Sequence, residues 1–328
     1  MRKTVLALLT LAALLGCEGI RTKGPKFQQK ITFAYTIQPQ CTLVHVALAK
    51  GYFAEEGLEV QPLVHTYGKA ALQSLLDQKA DFATVAETPI MFSILKGDTF
   101  FVIANIEASS KNNAIVARKD AGIAVPADLR GKRIGFTPGT TSDFFLDSYL
   151  TTIGLTRQAV RPVALKPEGM AAALLGQQVD AVSTWNYPLA EIRRQLGPKG
   201  TSFFDQEIYR ETFNVVASQG MVERNPEVVH GILHALVKAE DFVKANPTVA
   251  QAIMAATTKT DEELVREVWN AFNYRTRLDQ TLVITLEDET RWAMNQKLTG
   301  RAAMPDYRKY LHSESLRSIR PEAVTVGR

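Results

Sequence analysis

The sequence predicts an α/β fold built as two lobes, and three observations carry that prediction. The hydrophobic period switches repeatedly between 2 and 3.6, with Gly or Pro at the joints. The alternation runs through twice, the second run starting near Lys111. From about Asn225 the character changes to helices with little strand between them. Alternating strands and helices are the signature of a mostly parallel sheet covered by helices. At 328 residues and 46% hydrophobic, the chain is long enough for two cores.

The first run reads as strand ITFAYTI (31–37), helix TLVHVALAKGYF (42–53), strand LEVQPLV (58–64) and helix KAALQSLLDQKA (69–80). Strand DFATVAE (81–87), helix PIMFSILKG (89–97) and strand FFVIANIE (100–107) complete it. The second run has strands in NAIVAR (113–118), GKRIGF (131–136), VRPVAL (160–165) and VDAVST (179–184). Its helices are DFFLDSYLTTIG (143–154), PEGMAAALLG (167–176) and PLAEIRRQLG (188–197). Helices 226–247, 248–258 and 261–272 follow. Segments 285–298 and 304–316 are expected to pack back on the first lobe, with Trp292 as a docking anchor, and 317–328 to be partly disordered. The chain therefore builds one lobe, crosses at 109–120, and returns at 209–218. The boundaries assigned are 31–112 and 214–328 for lobe one and 113–213 for lobe two. Ligands of open α/β sheets sit beyond the carboxyl ends of the strands, which here face a cleft between lobes.

The first residues point to export. A basic MRK, an apolar TVLALLTLAALL and the closing LLGC form a signal sequence over residues 1–16, too short to span a bilayer comfortably. Leu14, Leu15, Gly16 and Cys17 resemble the bacterial lipobox, whose cysteine is lipidated; the alternative is an ordinary signal peptide with an unrelated cysteine. Residues 17–30 would then be a flexible tether. A net charge of +4, without clustered Lys or Arg, gives no case for nucleic-acid binding. Cys41 is the other cysteine, so neither an intramolecular disulfide beside a lipidated Cys17 nor a CxxC metal site is expected. His230 and His234 share helical spacing but lack an HExxH frame, and no metal or cofactor is expected.

The candidate site starts at TPGTTSDFF (137–145), where a strand runs into a helix. A helix start presents unpaired N–H groups and the positive end of the dipole. Gly139 permits close approach, and Thr140, Thr141 and Ser142 add hydroxyls, one of which should cap the helix. That is an anion cradle, or else a plain N-cap; Asp143 in the first turn would repel an anion if it faced the cleft. Other strand ends converge on the same place. Gln38, Pro39 and Gln40 follow the first strand; Tyr67, Gly68 and Lys69 the second; Glu87 and Thr88 the third. Lys69 is as readily a solvated helix residue. From lobe two come Trp185, Asn186 and Tyr187, aromatics that serve equally as core, and Asn214 lies on the returning strand. Hydroxyls suit an oxyanion, carboxylates suit a cation or donor, and the aromatics suit a heterocycle.

AKGYFAEEGLEV (49–60), LLDQKADFATVAETP (75–89), ADLRGKRIGFTPGTTSDFF (127–145) and ALLGQQVDAVSTW, ending at Trp185, resemble the periplasmic substrate-binding proteins of ABC importers. The branch they resemble is the nitrate/sulfonate/taurine-binding and NMT1/THI5-like group. The resemblance implies a type II periplasmic-binding fold with two hinge strands that closes around a small solute. It implies a monomer beside an ABC permease, held to the membrane by lipid on Cys17. A sulfonate, taurine or nitrate is the first expectation. A pyrimidine-like thiamine precursor, or a sensing role, is the alternative. Some relatives are enzymes that use a lysine, a histidine and a cysteine-rich motif; this chain has no cysteine cluster, and no catalytic role is expected.

Overall fold

The computed structural model describes residues 29–327. The export signal, Cys17 and most of the expected tether lie outside the described residues. The first lobe opens with strand β1 (Gln29–Thr36), two residues earlier than the periodicity predicts. Helices α1 (Thr42–Lys50) and α2 (Tyr52–Glu55) lead to β2 (Leu58–His65), then α3 (Gly68–Leu76), β3 (Phe82–Ala86), α4 (Glu87–Lys96) and β4 (Phe100–Ser109). The chain crosses at 110–112 into β5 (Asn113–Arg118), β6 (Arg133–Phe136), α5 (Thr141–Thr152), β7 (Arg161–Ala164), α6 (Met170–Leu175), β8 (Ala181–Trp185), α7 (Asn186–Leu196) and β9 (Gly200–Phe203). It returns through 204–210 into β10 (Glu211–Ser218). Helices α8 (Gln219–Arg224), α9 (Pro226–Ala245), α10 (Pro247–Thr258) and α11 (Glu262–Trp269) precede β11 (Asn273–Arg277). Helices α12 (Gln280–Asn295) and α13 (Glu314–Ile319) end the described chain.

The strands form two sheets, β11-β4-β10-β3-β1-β2 and β7-β6-β8-β5-β9. Both are mixed. β1 pairs in parallel with β2 and β3, and β6 with β7 and β8. The crossing strands break the pattern: β10 runs antiparallel to β3 and β4, and β5 antiparallel to β8 and β9. A chain that leaves one sheet and returns to it lays its return strand against the others. Position in the sheet explains composition. β3, FATVA, is buried throughout, as a strand covered on both faces should be, whereas the edge strand β2 alternates toward solvent. Phe33, Phe82, Phe100 and Phe213 are fully buried, each side chain contributing about 1.5–3 kcal/mol relative to exposure.

Three segments depart from the sequence reading. GTSF (200–203) and NYRTR (273–277) form edge strands β9 and β11 by joining existing sheets. Segment 317–327 is placed against the rest of the fold, where Val324 is fully buried and bridges Leu278. Among the described residues no helix is long and apolar enough to cross a membrane.

Candidate ligand-binding cleft

The two sheets meet at a tight cavity of about 20 Å³, room for roughly one water molecule, so a solute enters only if the lobes part. Lobe one supplies Gln38 and Gln40 after β1, Tyr67, Gly68 and Lys69 at the start of α3, and Ala86 and Pro89 around the start of α4. Lobe two supplies Thr140, Thr141 and Trp185, and the return strand supplies Glu211 and Phe213. Gly68 is required by packing: a Cβ there would stand 2.9 Å from the Val85 Cα and 3.2 Å from the Phe213 ring. Gly139, at φ 65°, forms the turn before α5, and a Cβ on it would meet Lys69 Nζ at 2.9 Å. That lysine spans the cleft mouth, donating to the Pro138 carbonyl at 2.8 Å. Thr66 donates across the same opening to Glu168 at 2.5 Å. Both bonds bridge the mouth of the cleft.

At its floor lies Glu211, 1% exposed. One carboxylate oxygen accepts from Gln40 Nε2 at 3.1 Å, the other from Asn112 Nδ2 at 2.8 Å and Asn113 Nδ2 at 2.6 Å. Asn186 closes a ring, its backbone N–H donating to Asn112 Oδ1 and its Nδ2 to Gln40 Oε1, both at 3.1 Å. Gln40 belongs to lobe one, Asn186 to lobe two, and Asn112 and Glu211 to the crossings, so this ring sits where the lobes articulate. Asn186 enters α7 at φ 32°, a conformation Asn tolerates better than most residues. Burial raises the Glu211 carboxyl above its ordinary value, against the three amides and the Thr141 hydroxyl, which favour the ionised form.

Behind Glu211 lies Glu87, fully buried. Burial, and then the charge of Glu211, push it up to about 8. It accepts from Tyr209 Oη and from Thr212, whose N–H and hydroxyl stand at 2.8 and 3.0 Å. Burial thus raises both carboxyls, while amides face Glu211 and two hydroxyls with an N–H face Glu87. Glu107 and Glu289 are also buried and raised well above normal, first by desolvation.

Eight of the candidate residues line the cavity: Gln38, Gln40, Tyr67, Gly68, Lys69, Thr140, Thr141 and Trp185. The others stand close by in different roles. Pro39 is buried in a short 3-10 turn. Glu87 fastens the return segment, and Thr88 turns toward α12, donating to Glu289. Ser142 accepts from the Thr137 N–H at 3.1 Å and donates to the Ser183 carbonyl at 2.8 Å, pinning α5 to β8. Asn186 holds Gln40. Asn214 turns its amide to the Val85 carbonyl at 3.3 Å, because alternation along β10 puts Glu211 and Phe213 on the cavity face and residue 214 on the other. Gly139 belongs to an outer chamber with Asp143, Lys96 and Phe92.

The expected hydroxyl cap is absent. Thr140 Oγ1 donates back to the Thr137 carbonyl at 2.7 Å and no side chain caps α5, so the helix start keeps free N–H groups at the cavity. Asp143 is neutralised by Arg157 at 2.5 Å and by the Gly139 N–H at 2.8 Å. Ala86, Pro89, Glu211 and Phe213 are lining residues that the sequence did not single out. A charged residue opening an apolar return strand was the signal for Glu211.

The NMT1/THI5-like family model matches residues 38–250. The chain belongs to that family. A binding protein of Brucella abortus is 26% identical over 207 residues, which span 61% of this chain and 62% of that protein's length. A Bacillus subtilis protein whose assigned name is that of an aliphatic sulfonates-binding protein is 26% identical over 238 residues, 70% of each chain. Among solved structures, the alkanesulfonate-binding protein SsuA of Xanthomonas axonopodis pv. citri, bound to MOPS, superposes with a TM-score of 0.75 at 16% identity. It covers 87% of this chain and 98% of that one. The desulfurization enzyme DSZB superposes with a TM-score of 0.62 at 16% identity, covering 89% and 98%. These likenesses establish the periplasmic-binding-protein fold, which carries both binders and an enzyme.

Proposed function

We propose that this protein is the extracytoplasmic solute-binding component of an ABC importer, tethered by lipid on Cys17. Its two lobes close over a small polar solute, which it then hands to a membrane permease. The observation that carries the solute assignment is the Glu211 carboxylate, presented at the cavity floor by three amides. A buried carboxylate already oriented by donors accepts a further N–H or ammonium at little reorganisation cost. A bare anion placed beside it meets repulsion on the order of 4 kcal/mol at contact distance. The solute is thus one with hydrogen-bond donors, flat or slender enough to lie among Tyr67, Trp185 and Phe213. An N–H-bearing heterocycle or an aminosulfonate zwitterion fits that description.

A second reading, a simple sulfonate or nitrate, draws on Lys69 and the open start of α5 at the same cavity. The zwitterion satisfies both ends. The cavity lining contains no histidine or cysteine; Cys41 is buried and hydrogen-bonded to Thr36 at 3.2 Å and Thr84 at 3.1 Å. Solute binding, the role given in the name of the Bacillus subtilis relative, is the activity proposed. The experiment is native mass spectrometry of the protein purified from its own host. A retained small molecule carrying an amine or ring N–H is the expected result. A retained sulfonate or nitrate without any donor would overturn the assignment.

A further inference from the structure

Trp292 was read as an anchor that docks the C-terminal helix on lobe one, and its surroundings are wider than that. The indole projects from α12, which packs on α4, and its ring meets Phe92 of α4 edge-on at 5.8 Å. Its other neighbour is Phe144 of α5, at 5.3 Å, a residue of lobe two. The indole N–H crosses the same boundary, donating to Asp147 Oδ2 at 2.8 Å. Trp292 is 9% exposed and Asp147 4%, so the bond is shielded from water.

From Asp147 a polar chain leads to the cavity wall. Arg157 donates Nη1 to Asp147 at 3.2 Å and Nη2 to Asp143 at 2.5 Å. Asp143 accepts the Gly139 N–H at 2.8 Å. Gly139 ends the turn whose Pro138 carbonyl takes the Lys69 ammonium across the cleft mouth. An aromatic chain runs in parallel, since Phe144 also meets Tyr209 at 5.1 Å on the return segment.

We propose that Trp292 is a positioning residue: its N–H, held by Asp147, sets the turn at Pro138–Thr141 against lobe one and biases the cleft toward its closed form. This rests on reading the cleft as a solute site that opens and closes. When the lobes part, Asp147 loses its donor while remaining paired with Arg157, and the indole edge meets water. One hydrogen bond between buried groups thus exists only in the closed form. It makes closure partly a property of the protein and leaves the remainder to the solute. Phe at this position would keep the ring contacts and remove the donor alone.

The test is small-angle scattering of the mature chain stripped of small molecules, wild type against W292F, with melting temperatures recorded on the same samples. The radius of gyration of W292F is expected to exceed that of wild type, with melting temperatures within about 3 °C. A change in packing alone would move the melting temperature and leave the radius unchanged. Equal radii in two folded proteins would overturn the proposal. Should W292F fail to fold, D147A removes the acceptor from the other lobe, and the same comparison decides. No solute enters the measurement, so its failure is distinct from a failure of the solute assignment.

Discussion

Glu87 and Glu211 illustrate how far burial alone reshapes a residue. Both are inaccessible, and their charges oppose each other. A carboxyl raised in the folded state binds its proton more tightly there than in the unfolded chain. Its contribution to stability is complete below the ordinary glutamate value and is lost as pH rises through the folded value. For Glu87 the window runs from about 4.5 to about 8. The unfolding free energy, measured by urea titration, is expected to fall across that window. E87Q, which cannot ionise, is expected to reduce the fall, leaving the part due to Glu107, Glu211 and Glu289. A profile rising with pH in both proteins would refute the assignment. Residue type could place a carboxylate near the cleft. It could not say whether Glu87 or Glu211 lines the cavity, because that depends on which face of β10 is turned inward and which element takes each side chain.

At the level of elements, the strand-turn-helix from β6 to α5 was legible and its detail was not. Thr137–Ser142 read as a helix start with surplus hydroxyls, and Thr140 and Thr141 do line the cavity. Ser142 was read alongside them and instead joins two elements, taking the Thr137 N–H and giving its own proton to β8. S142A leaves the Thr137 N–H and the Ser183 carbonyl without those partners. A loss of about 1–3 kcal/mol is expected in denaturant unfolding, with the cavity lining otherwise intact. A neutral effect would mean that α5 is held by its apolar face alone, through Phe145, Leu146 and Leu150. The strands missed at 200–203 and 273–277 share one cause. Both are short edge strands stabilised by pairing with a sheet already formed, a tertiary gain that local periodicity does not register. The long helices carried their own signal and were found.

For the whole molecule, two lobes, the crossings and the return to lobe one all follow from the order of strands and helices. Closure does not, because it depends on contacts between residues far apart in sequence. Lys69 with Pro138, Gln40 with Asn186, Trp292 with Asp147 and Arg194 with Glu267 each join the two halves. Of these, Gln40 with Asn186 and Trp292 with Asp147 are buried, and bonds of that kind gain strength where water is excluded. Under the proposed function a solute would complete what these contacts begin, and the melting temperature would rise with the logarithm of its concentration above Kd.

The most direct measurement is therefore a thermal-shift comparison of wild type and E211Q in taurine, cytosine, ethanesulfonate and nitrate. Solutes with amine or N–H donors should stabilise wild type, and E211Q should weaken that binding about 10- to 100-fold. A shift produced by ethanesulfonate or nitrate, and equal in both proteins, would contradict the account.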